Sequence, residues 1–168
     1  MLWLVHAWDL AGQGLTSGLP LVTNFSTLDY KAGIQNWHIT QDQRGLIYIA
    51  NNFGLLEYDG NQWTTYPVRN GTKVRSVACD GRGRIYVGCQ GDFGYFFPDA
   101  KGQLEFVSLA DSLPDNVRDF DEAWSVYIDI DRVYFCTFSN IYVFDNGKFD
   151  VIRPRNGVDH SYLVNRQL

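Results

Sequence analysis

The chain has 168 residues, of which 45% are hydrophobic and 20% charged, enough for a domain with its own core and too apolar for disorder over most of its length. Aromatic residues make up 15% (ten Tyr, eleven Phe, five Trp) against a single Met, a balance that favours strands over helices. A formal net charge of -5 leaves no basic surface for a phosphate backbone, which excludes nucleic acid as a partner of this segment.

Residues 1–18 begin MLWLVHAWDLAGQG, a brief apolar stretch from Leu2 to Trp8 followed by small residues. This reads as the residual part of a secretory leader, although no Lys or Arg precedes it and its apolar core is short. The stretch LPLVTNFSTLDY, residues 19–30, is a candidate for an extra strand. No run reaches the roughly 18 apolar residues of a membrane span, so no span is expected in this segment.

Three similar units follow, at about 34–66, 74–107 and 123–152. In the first, Trp37–Gln41 reads as a strand, and DQRG, from Asp42 to Gly45, as a turn. Leu46–Ala50 is a second strand, NNFG (51–54) a polar loop, and LLEY (55–58) a third strand. The hairpin signal Asp59, Gly60, Asn61 then leads to a fourth strand, Gln62–Tyr66. The second unit repeats the order: Val74–Cys79, DGRG from Asp80 to Gly83, Arg84–Gly88, QGDFG (90–94), YFF (95–97), a turn from Asp99 to Gly102, and Leu104–Val107.

Before the third unit stands the insertion SLADSLPDNVRDFDE (108–122), whose Asp119, Asp121 and Glu122 could offer a general acid or base pair and are equally explained by an acidic solvated loop between blades. The unit itself has Trp124–Ile128, the shorter turn DID at Asp129, Arg132–Cys136, TFSN (137–140), IYVF (141–144), a turn at Asp145, Asn146 and Gly147, and Phe149–Ile152. Residues 153–168, ending VDHSYLVNRQL, read as the start of a further blade or a linker.

The second strands, such as Leu46-Ile47-Tyr48-Ile49 and Ile85-Tyr86-Val87, are apolar on both faces. A sheet wet on one side would alternate. Four-stranded antiparallel meanders covered front and back are the blades of a β-propeller, whereas a β-sandwich gives no reason for the same turn and loop order to recur. The fold class is therefore all-β, with residues 19–168 forming an incomplete ring of about three blades. Completion is expected from the remaining blades of a longer chain, or alternatively from a homo-oligomer.

NFSTLDYKAGIQNWHITQDQRGLIYIANNFGLLEYDGNQW and VRSVACDGRGRIYVGCQGDFGYFFPD, with the patterns Asp-x-x-Gly-x-Ile-Tyr-Ile/Val and Gly-x-x-x-Tyr/Phe-Asp-Gly, resemble the two-component-regulator propeller repeats over about residues 20–152. The resemblance implies the periplasmic, extracytoplasmic sensor of a bacterial signal-transduction or transcription regulator. It further implies a small-molecule or oligosaccharide effector and, elsewhere in the full-length chain, output domains. The third unit departs most from the pattern, since DID is a residue short and Asn140 replaces Gly.

In such a ring the loops entering the first strand, and those between the second and third, open on one face. That face would carry Asn36, Trp37, Asn51, Asn52, Phe53, Arg75, Gln90, Asp92, Phe93, Trp124 and Ser139, amides and rings suited to hydroxyl pairs and C–H surfaces. For any one of these residues a structural role in turns, blade packing or ion pairs comes first, while for the face as a whole binding and structure weigh evenly. Asp42, Gly45, Asp80, Gly83 and Asp129 lie at the turns of the other face, where their recurrence points to turn closure. Cys79, Cys89 and Cys136 lack metal-ligand spacing and read as small buried side chains; no metal or cofactor is expected.

No GxSxG, HExxH or Walker-type loop occurs. Taken with what the resemblance implies, the expected function is non-catalytic ligand sensing. The alternatives are a propeller lyase or glycosidase, for which Asp92 and Glu122 would be the acid/base pair, and a protein-binding scaffold.

Overall fold

The computed structural model describes residues 21–166 and residue 168. The leader at 1–18 lies outside the described residues, as do Leu19 and Pro20. A helical turn at Thr27–Tyr30 precedes twelve strands. β1 (Asn36–Gln41), β2 (Ile47–Asn51), β3 (Gly54–Tyr58) and β4 (Trp63–Tyr66) form one sheet in sequence order, the first blade. β5 (Val74–Cys79), β6 (Ile85–Cys89), β7 (Phe93–Pro98) and β8 (Leu104–Ser108) form the second. The third contains β9 (Ser125–Asp129), β10 (Arg132–Cys136), β11 (Ile141–Asp145) and β12 (Lys148–Ile152). All pairings are antiparallel neighbours.

Most of these bounds fall within a residue of those read from the sequence, and β7 is the exception. It begins at Phe93 rather than Tyr95, because Phe93 pairs with Gly88 and Gly94 with Val87, which draws the QGDFG loop into the ladder. The stretch before Thr27 contributes no strand among the described residues.

Packing explains why the strands are apolar on both faces. Between the first and second blades lie Tyr48, Ala50 and Leu55 against Val74, Val77, Ile85, Val87 and Phe96. Between the second and third lie Tyr86 and Phe93 against Val126, Val133, Phe135 and Tyr142. The innermost strands β1, β5 and β9 contact one another in succession, so the sheets stack as wedges. Each fully buried side chain of this size contributes about 1.5–3 kcal/mol.

The 108–122 segment is not a solvated loop. It folds as a 3₁₀ turn (Ala110–Ser112) and a helical turn (Asp115–Arg118), and it buries Leu109, Leu113, Val117 and Phe120 in the second seam. The Phe120 ring stacks 5.2 Å from Phe93, which itself stacks 4.3 Å from Phe135. The Tyr142 hydroxyl donates to the Val117 carbonyl at 2.6 Å. Its four aspartates face outward while the apolar residues, three or four positions apart, face in; net composition concealed this periodicity.

The turns of the lower face differ between blades. Asp42 Oδ1 accepts the N–H groups of Arg44 (2.9 Å) and Leu46 (3.0 Å), and Asp80 Oδ1 accepts those of Arg82 (2.7 Å) and Arg84 (3.0 Å). Gly45 and Gly83 close these turns at φ 90° and 100°, where a Cβ would be strained. The shorter third turn has Ile130 at φ 55° instead, and Asp129 Oδ1 lies 3.5 Å from Arg166 Nε.

Candidate site at the innermost strands

The first two innermost strands carry a β-bulge, at Trp37 in β1 and at Arg75 in β5, where register slips between Asn36 and His38 and between Val74 and Ser76. A bulge inserts an unpaired residue and re-aims its side chain. Trp124, immediately before β9, occupies the equivalent place in the third blade: each of the three stands five residues before its turn aspartate, Asp42, Asp80 or Asp129.

These three positions meet. The Arg75 guanidinium carbon lies 4.0 Å from the Trp37 ring centre and 4.7 Å from that of Trp124, and the two indoles contact edge to face at 6.0 Å. Arg75 Nη2 donates to Glu122 Oε1 at 2.7 Å, with both side chains 7% exposed. Desolvated cation–π contacts of this kind contribute about 2 kcal/mol. Arg75 Nε and Nη1 and Trp124 Nε1 are buried without a hydrogen-bond partner among the described residues, so three donors gather there and the indole faces are what surrounds them.

The neighbouring loops complete the opening. Trp37 Nε1 donates to Asn52 Oδ1 at 2.8 Å, and Asn52 Nδ2 donates to Gln35 Oε1 at 2.9 Å. Phe53 is 62% exposed. Phe138, which sequence reasoning missed, lies 5.4 Å from Trp124 and is half exposed; its signal was an aromatic in the loop of the third blade that corresponds to the loop of Phe53 in the first. Ser139 is exposed beside Thr137 and Asn140.

Other candidates serve the framework. Asn51 is fully buried: Oδ1 accepts Gly33 N–H and Phe53 N–H, both at 2.9 Å, while Nδ2 reaches the Gly33 and Gln35 carbonyls and Asn36 Oδ1. Asp92 Oδ1 accepts Phe93 N–H (2.8 Å) and the Ser108 hydroxyl (2.7 Å), and Oδ2 pairs with Arg69 at 3.2 Å. Gln90 is exposed, with its N–H on the Lys73 carbonyl and a bridge to Glu122. Phe93 points into the second seam, away from Trp37 and Trp124. Burial pushes the thiol of Cys79 up to about 12 and raises those of Cys89 and Cys136, which keeps them protonated and unreactive at neutral pH.

Among the described residues no group of three His, Cys, Asp or Glu could hold a metal ion, and no helix is long and apolar enough to cross a membrane. No family model and no curated protein matches the chain. Solved structures share its fold. The extracellular domain assigned to the hybrid two component system BT4673 of B. thetaiotaomicron is 21% identical, with 77% of this chain and 17% of that chain covered and a TM-score of 0.56. The corresponding domain of BT3049 is 20% identical, with 82% and 18% covered and a TM-score of 0.57. This chain therefore spans less than a fifth of the length of the structures it resembles.

Proposed function

We propose that this chain is the front part of an extracytoplasmic ligand-sensing propeller of a bacterial signal-transduction regulator, and that it binds its effector without turning it over. Further blades and output domains then belong to the full-length protein, and the location is periplasmic. The supporting observation is the convergence of one equivalent position from each blade, Trp37, Arg75 and Trp124, with Asn52 and Phe138 beside them. Indole and phenyl faces suit the C–H surfaces of a polyhydroxylated effector, and the Asn52 and Gln35 amides beside them suit its hydroxyls. The fold shared with extracellular domains of two-component systems favours the same reading.

The residues proposed for an acid/base pair argue for binding over hydrolysis. Glu122 is ion-paired to Arg75, and Asp92 is held by Arg69, the Phe93 N–H and the Ser108 hydroxyl, so each is engaged by the framework rather than turned toward a substrate. The test incubates the intact ectodomain with neutral and acidic mono- and oligosaccharides and measures both its melting temperature and the products. A sensor shows a melting shift that is lost in Trp124→Ala, with every sugar recovered intact. Shortened products would overturn the reading, as would a shift that Trp124→Ala leaves unchanged.

A further inference from the structure

Residues 158–166 run along the outward side of the third blade in the direction of β9. The Val158 N–H donates to the Phe138 carbonyl at 2.8 Å, the Tyr127 hydroxyl donates to the Ser161 carbonyl, and Arg166 Nε lies 3.5 Å from Asp129 Oδ1. Phe138 is at the upper face, Tyr127 halfway down β9 and Asp129 at its lower end. The segment thus descends beside β9 as β5 descends beside β1, where His38 Nδ1 meets the Val77 carbonyl at 2.9 Å. Gly157 permits the entry: its φ is 75°, and a Cβ there would come within 2.8 Å of the Phe138 carbonyl.

The sequence of this segment has the period of an innermost strand. His160 stands five residues before Asn165, as Trp37, Arg75 and Trp124 stand five before their turn aspartates, and Asn closes such turns as Asp does. Ser161 follows His160 as Ser76 follows Arg75 and Ser125 follows Trp124. The Ser161 hydroxyl lies beside the Cys136 thiol, whose upward shift from burial it partly offsets.

We infer that residues 160–165 are the innermost strand of a fourth blade, that His160 is the fourth member of the row Trp37, Arg75, Trp124, and that the cavity between His160 and Trp124 receives the effector. That cavity measures about 340 Å³ and is walled by Trp124, Phe138, Tyr162, Ser161 and His160. Its volume suits one or two small rings. Asp159 and no Lys or Arg lines it, which disfavours an anion. The aromatic side chains of Trp124, Tyr127, Phe138 and Tyr162, with His160 and Ser161 beside them, select an uncharged hydroxylated ring that stacks on their faces. The ligand half of this inference rests on the sensing function proposed above.

The test has two arms on the intact protein. In the first, Ser161→Cys is oxidised under mild conditions, and a disulfide to Cys136 is sought by peptide mapping. The inferred register brings the two sulfurs together, and absence of the cross-link overturns the placement of His160 while leaving sensing intact. In the second, binding of methyl glycosides of the common neutral hexoses and pentoses is measured by calorimetry for the unaltered protein and for His160→Ala. A loss of tenfold or more in affinity is expected for whichever glycoside binds. Equal affinity overturns the cavity as the effector's place. Failure of every glycoside to bind the unaltered protein overturns the ligand class and counts against sensing, whereas the cross-link still decides the row.

Discussion

The guanidinium of Arg75 is clamped against the face of Trp37 at 4.0 Å while its Nη2 holds Glu122 at 2.7 Å. A buried charge pair of this kind costs little to replace as a pair and much to break. Arg75→Met alone strands the Glu122 carboxylate and is expected to lower stability by about 3–5 kcal/mol. Arg75→Met combined with Glu122→Leu should recover most of that loss. Urea denaturation of the two single variants and the double one measures the coupling, and additive losses would show that the pair acts otherwise.

Gly88 is held by a close approach of two blades. A Cβ on it would lie 2.3 Å from the Ala123 carbonyl oxygen and 2.5 Å from Ser76 Oγ, so Gly88→Ala forces the second and third blades apart. The expected cost is about 1–3 kcal/mol, read as a fall in melting temperature. Gly60→Ala, at φ 95° with nothing within 4 Å, carries only the backbone penalty of about 1–2 kcal/mol and leaves the seam closed by hydrogen exchange.

Asn51 ties the chain before β1 to the end of β2. Replacement by Asp keeps the shape but turns a donor into an acceptor facing the Gly33 and Gln35 carbonyls. A loss of about 1–3 kcal/mol follows from the unmet groups. Faster amide exchange at Gly33, whose N–H Asn51 accepts, should accompany the Asn51→Ala variant, with amides of β10 unchanged.

The thiols give the protein an alkaline limit. The Cys79 thiol, at about 12 because of burial and of Asp42 and Asp80 nearby, lies above its unfolded value near 9.0. Its folded pKa is raised, so the associated stability is fully present below pH 9 and drains away as the pH rises toward 12. Tyr48 shifts upward too, first by burial and then by Glu57. Urea midpoints at pH 8 and pH 10.5 should therefore fall, and Cys79→Ala should flatten that fall. Each such group steepens the slope by at most about 1.4 kcal/mol per pH unit.

The blades were legible because their signals are local: an aspartate turn, a hairpin, an apolar strand. Asp42 and Asp80 show their turn geometry within four residues of themselves. The meeting of Trp37, Arg75 and Trp124 was less so, since it depends on two bulges, and a bulge shifts register without changing composition. Asn51 and Phe93 stood among the ligand-side residues because a loop position does not tell whether a side chain turns outward or into the adjoining wedge. The 108–122 segment was misread for a related reason: its aspartates dominate the charge count, while Leu113, Val117 and Phe120 carry its packing.

The 108–122 segment also divides the array mechanically. Leu113, Val117 and Phe120 bolt the second and third blades into one body, while the junction of the first blade with that body has no comparable crosspiece among the described residues. That junction instead relies on its buried seam of Tyr48, Leu55, Val74, Val77 and Phe96, with the Trp37 indole on the Arg75 guanidinium and the His38 imidazole at the Val77 carbonyl beside it. Loosening the 108–122 segment would therefore open the second seam while leaving the first, which closes through its strands alone, intact.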